Sequence, residues 1–262
     1  MRFNTRLFLI LWIAGVIGVA SFLLVDLNAM LHSMPFPAGT EIPDFNFTLK
    51  VLSLIQPSVL VAIAVFVGVL LAPKVGLSAP FAEALANDGD RIAALGPQVI
   101  PGIIGSLVGG AAIILVGFTS RQFLAAEITQ RISQFGEFLP LPTRLLYGGF
   151  VEELLLRWGV MTFLVWGGWR LFQKGERVPT ATIFVFAILI SSVIFAIGHL
   201  PIAYLLFPAH TIALTMFVII GNSMFGLVAG YLYWKKGLES AMIAHAVTHL
   251  ILFSASYLGA YF

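Results

Sequence analysis

The chain contains no cysteine and little charge. Without Cys there is no disulfide, no thiolate nucleophile and no Cys-ligated metal, so any catalyst must be carboxylate, imidazole, hydroxyl or metal. Charged residues make up 10% of the 262 positions, against about 25% in an average soluble domain, and hydrophobic residues make up 60%. Such a composition belongs in lipid. Lys and Arg are dispersed among short loops rather than aligned in a stripe, so a nucleic acid partner is not expected. Internal repeats, low-complexity tracts and long linkers are also missing, which points to one integral membrane domain over 1–262.

What is present is a series of apolar runs. About 20 such residues cross the ~30 Å hydrocarbon layer, and seven stretches qualify: 7–25, 51–72, 98–118, 144–168, 180–199, 211–234 and 238–260. The first follows Arg2 and Arg6 but exceeds the ~7–15-residue apolar region of a signal peptide and lacks a small-x-small cleavage site, so it reads as a membrane helix. The pattern predicts an all-α polytopic membrane helical bundle of about seven, six to eight, transmembrane helices. The Pro-rich stretch 26–50 reads as an ordered or lid-like loop. Segments 73–97 and 119–143 mix apolar and charged residues, as an interfacial amphipathic helix or a solvated connector would. The G-x-x-x-G patterns Gly105 to Gly109 and Gly226 to Gly230 read as close helix packing within the chain.

Positive charge is uneven between the two sides that seven spans define. Arg2, Arg6, Lys74, Arg91, Arg170, Lys174, Arg177, Lys235 and Lys236 fall on one side, and Lys50, Arg121, Arg131 and Arg144 on the other. The larger set is expected in the cytoplasm, with the N-terminus inside. The expected location is the plasma membrane of a prokaryote, with the chain as a multi-pass protein.

The fourth run carries Glu152, Glu153 and Arg157 in otherwise apolar sequence. A charge at the centre of a membrane helix costs roughly 2.5–3.5 kcal/mol on insertion scales, so three within two turns need partners or a use. Glu153 and Arg157 are four residues apart, acid first, and suit a helical ion pair. Glu152, about 100° away on an α-helix, is the carboxylate left free to react. His199 ends the fifth run four residues after Phe195; alone, it could be an interfacial histidine. His245 and His249 share one face of the seventh run and are harder to dismiss. Asn222, Ser191 and Ser192 read as interhelical hydrogen bonds, and His32 and His210 as incidental.

The patterns E-E-x-x-x-R at 152–157, F-x-x-x-H at 195–199 and H-x-x-x at 245, in this order on membrane helices, resemble the CPBP (Abi) family of intramembrane proteases. That group includes the type II CAAX prenyl endopeptidases and bacteriocin-related immunity proteins. The resemblance covers about 145–250, within an expected catalytic core of 144–260. It implies a glutamate-dependent endopeptidase acting on a lipidated or membrane-associated peptide, without a cofactor. Glu152 and His199 would activate a water, His245 and His249 would donate hydrogen bonds to the oxyanion, and Glu153 with Arg157 would support the site.

One position departs from the family, whose third motif usually ends in Asn or Asp where this chain has His249. That change opens a second reading, a zinc site ligated by His199, His245 and His249 with Glu152 nearby. The local sequence lacks the glutamate of H-E-x-x-H. A third reading is a non-catalytic immunity or scaffold protein; a free buried carboxylate among imidazoles argues for the enzyme. Membrane lipid and a membrane-associated peptide or protein are the expected partners. Prenylated substrates are processed at the cytosolic face, whereas the charge count puts the start of the 144–168 run on the other side. Either the span count is wrong by one or the substrate differs.

Overall fold

The structure is a computed structural model that describes residues 3–37, 39–207 and 210–258, the side chains at 127, 129 and 133 excepted. Arg2 and residues 259–260 of the last expected span lie outside the described residues. Helix α1 (Thr5–Ala20) starts where the Asn4 side chain accepts from the Leu7 amide, and it runs on through a 3-10 turn, Ser21–Leu24. Two short helices, α2 (Leu27–His32) and α3 (Phe47–Ser53), flank the Pro-rich loop, which Asn28 pins by exchanging two hydrogen bonds with the Phe45 backbone. Next, α4 (Ile55–Val75) crosses back and ends at Gly76, whose φ of 73° favours glycine.

Segment 73–97 is partly helical and partly packed on protein. It holds the short α5 (Pro80–Ala86), tucked against the bundle with Ala82 and Ala86 buried, before α6 (Arg91–Ser120) begins. Asp90 caps α6 through the Ile92 and Ala93 amides. Segment 119–143 holds α7 (Ala126–Glu137), which buries Ile128 against protein.

The charged run is one composite rod over 141–172. It joins α8 (Leu141–Thr143), π-helical segments at Arg144–Glu152 and Leu154–Met161, and α9 (Thr162–Phe172). After it come α10 (Ala181–Gly198), α11 (Leu200–Leu206), α12 (Ile212–Lys235) and α13 (Leu238–Tyr257). Pro201 has no amide proton and its ring would strike the preceding turn, so α10 gives way to α11 at His199.

Six helices are long and apolar enough to cross a membrane, and the rod is the seventh expected crossing. No strand occurs among the described residues, and the chain is an all-α polytopic bundle. The crossings alternate in direction. On one side Arg6 pairs with Asp88 at 2.9 Å, and the Leu238 amide bonds the Ser78 carbonyl. On the other, Thr143 bonds the Ser21 carbonyl, Lys50 bonds the Val25 carbonyl, and the Arg144 guanidinium lies over Phe253.

Both G-x-x-x-G patterns face neighbours within the chain. A side chain added at Gly105 or Gly109 would meet Leu232 or Phe225 of α12, and one at Gly226 or Gly230 would meet Ser192 or Ile188 of α10. The main core is centred on Trp158, fully buried against Gly68 and Tyr233. A second apolar cluster stands apart: Leu124, Ile128, Ala203, Phe207, Leu214 and Val218 join α7, α11 and the start of α12.

Candidate active site

The rod, α10 and α13 bring the charged motif and three histidines to one cavity of about 650 Å³, in the usual range for a ligand site. Glu152, His199, His245 and His249 all line it. Its other walls are mainly apolar, with Phe195, Phe225 and Asn222 near the histidines and Arg144 further along the rod. Between the first two histidines, Phe195 sets its ring edge-on to His199 at 4.7 Å and to His245 at 5.9 Å. Its carbonyl accepts from His199 Nδ1 at 2.9 Å. The carbonyl cannot donate, so the His199 proton is on Nδ1 and Nε2 is left as an acceptor.

Glu153 and Arg157 are both fully buried, with Arg157 Nε 3.2 Å from Glu153 Oε2. The separation is that of an ion pair, but the N–H direction misses the oxygen, so it does not count as a hydrogen bond. Arg157 also donates from Nη2 to the Gly226 carbonyl at 3.1 Å and lies 5.3 Å over the Phe195 ring. One guanidinium thus ties the rod to α10 and α12.

The expectation that Glu153 serves only Arg157, with Glu152 turned about 100° away, needs correction. His245 Nδ1 donates to Glu153 Oε1 at 2.8 Å, and its Nε2 lies 3.7 Å from Glu152 Oε2. The cause is the winding of the rod. A π-helix closes its hydrogen bonds over five residues instead of four, so successive side chains diverge less than on an α-helix and adjacent carboxylates can reach one imidazole.

His249 stacks on His245 with ring centroids 4.9 Å apart and planes 14° apart, and its Nε2 is buried without a hydrogen-bond partner. Gly148 makes room for this ring, because a Cβ there would collide with it; Gly149 likewise lets the rod approach Ala246. Phe195, Phe225, Gly148 and Gly149 are the contributors that residue chemistry alone does not single out. The Gly pair just before two acids was the available signal. Asn222 was read as an interhelical bond, but its Nδ2 donates within α12 to the Val218 carbonyl and the residue lines the cavity. Ser191 and Ser192 likewise bond the Ile188 carbonyl within α10. His32 and His210 bond the carbonyls of Asn28 and Tyr204, and neither lines the cavity.

Among the described residues no group of three His, Asp or Glu side chains is disposed to hold a metal ion. The alternative ligand set of His199, His245 and His249 is therefore not assembled in ligating geometry as these side chains stand. The Nδ1 atoms of His199 and His245 are bonded, to a carbonyl and to a carboxylate, which leaves Nε2 of each ring facing other partners.

Comparison with curated proteins finds no match, and comparison with solved structures finds none. Residues 134–251 match the family described as Type II CAAX prenyl endopeptidase Rce1-like. That interval contains the rod's charged motif, Phe195 with His199, and both histidines of α13. Over residues 134–251, then, the chain is similar to the type II CAAX prenyl endopeptidase Rce1-like family.

Proposed function

We propose that the protein is an intramembrane endopeptidase that hydrolyses a lipidated or membrane-associated peptide, with Glu152 as the base. The observation that carries this reading is the convergence of Glu152, His199, His245 and His249 on one cavity within the bundle. Glu152 takes a proton from a water whose other hydrogen is held by His199 Nε2. The resulting hydroxide attacks the peptide carbonyl carbon and the carbonyl oxygen becomes the oxyanion. The C–N bond then breaks as Glu152 returns the proton to the leaving nitrogen. General base action of this kind contributes about 10²–10⁴-fold.

His245 has one nitrogen committed to Glu153, so it donates to the oxyanion from Nε2 only as the doubly protonated ring. A low-dielectric site strengthens the resulting hydrogen bond. His249, whose Nε2 lacks a partner, supplies a second N–H. Glu153 acts through His245 as a positioning residue as well as a partner of Arg157. The mostly apolar walls suit a hydrophobic substrate.

The deciding experiment is cleavage of membrane peptides by the purified protein in detergent, with and without a strong chelator. Cleavage that persists under chelation supports the water-activating reading. Loss on chelation with recovery on added Zn²⁺ would replace it with the zinc reading, and absence of cleavage on a broad peptide panel would favour a scaffold.

A further inference from the structure

We infer that the catalytic cavity opens toward the non-cytoplasmic side of the membrane, and that the peptide it cleaves is presented from that side. The substrate clause rests on the peptidase reading; the orientation does not.

The contacts between segments agree with seven crossings. Arg6 with Asp88, and Ser78 with Leu238, join segments that seven crossings assign to one face. Ser21 with Thr143, Val25 with Lys50, and Arg144 with Phe253 join segments assigned to the other. The cavity belongs to this second face. Phe22, Met30, Phe135, Leu206 and Phe207 line its end on this face, and no residue of the opposite loops at 73–90, 170–180 or 235–237 lines it.

The two faces differ in charge. The face away from the cavity holds Arg6, Lys74, Arg91, Arg170, Lys174, Arg177, Lys235 and Lys236 among the described residues; the cavity face holds Lys50, Arg121, Arg131 and Arg144. Acids do not offset the difference, with Glu83, Asp88, Asp90, Glu176 and Glu239 on the first face and Asp26, Glu41, Asp44, Glu127 and Glu137 on the second. Lys50 and Arg144 also turn their charges onto backbone carbonyls, of Val25 and of Gly136 and Leu139. Loops this short obey the positive-inside bias, so the face away from the cavity is cytoplasmic. A peptide reaching Glu152 from the cavity face therefore comes from outside the cytoplasm, unlike a lipidated C-terminus exposed in the cytosol.

The absence of native Cys makes the test direct. Thr40→Cys and Glu176→Cys introduce single thiols at exposed positions on opposite faces, with Glu41→Cys and Val178→Cys as alternates. In intact cells a membrane-impermeant maleimide is expected to label residue 40 or 41 and to label 176 or 178 only after lysis. The reverse pattern overturns the orientation. Independently, a quenched fluorescent peptide that the detergent-solubilised protein cleaves should be cut outside spheroplasts and not by sealed inverted vesicles. Cutting by the vesicles alone overturns the substrate clause. If no peptide is cut even in detergent, the peptidase reading fails, while the labelling pattern still decides which way the cavity opens.

Discussion

His245 donates its Nδ1 proton to Glu153 across 2.8 Å, and that bond turns its other nitrogen toward Glu152. Two adjacent acids of one helix thereby take unlike roles around a single ring, one orienting it and one facing the cavity.

Glu152→Gln keeps the shape of the side chain and removes its basicity. Because this side chain is 19% exposed rather than sealed in, thermal unfolding in detergent should match the parent protein. Peptide cleavage should fall by about 10²–10⁴-fold. Undiminished cleavage would show that Glu152 is not the base.

Arg157→Met leaves Glu153 as a buried charge with its main partner gone, a change that costs about 3–5 kcal/mol in comparable buried pairs. The double variant Glu153→Gln/Arg157→Met should recover much of that stability, since both charges are removed together. It should not recover cleavage, because His245 loses the carboxylate that orients it. A double variant that unfolds as early as Arg157→Met would contradict the ion-pair account.

His249→Asn exchanges one N–H donor for another and should retain part of the cleavage rate, with the KM little changed. Complete loss accompanied by loss of a bound metal, measured by elemental analysis, would transfer His249 from oxyanion donor to ligand.

Gly148→Ala inserts a methyl group where the His249 ring now sits. Overpacking of this kind costs about 1–3 kcal/mol, and the ring must move to relieve it. Cleavage should drop while the protein remains folded. Combining the change with His249→Ala should restore stability, measured by thermal unfolding, and leave cleavage low.

The bundle and its crossings were legible because apolar length is a one-dimensional property: the seven runs needed no partner to be recognised. Glu153 and Arg157 were legible as a pair for the same reason, being four residues apart on one helix. The bond from His245 to Glu153 was not, because it spans 92 residues and depends on a winding that the sequence does not announce. Nor was the fate of the amphipathic segments. Composition told that α7 has an apolar face, but an apolar face suits lipid and protein equally, and only the positions of α11 and α12 settle which one it meets. Phe195 is similar: its carbonyl bond to His199 is local, but its part as an aromatic wall depends on the three-dimensional approach of α13 and the rod.

The separate apolar cluster of α7, α11 and the start of α12 has a kinetic consequence. These elements share few side chains with the Trp158 core, so breaking their mutual contacts exposes little of the main bundle, and they should open as a cooperative unit of their own with a lower free energy than global unfolding. Backbone amides of 126–137 and 200–206 should then exchange with deuterium together and faster than those of α6 or α13.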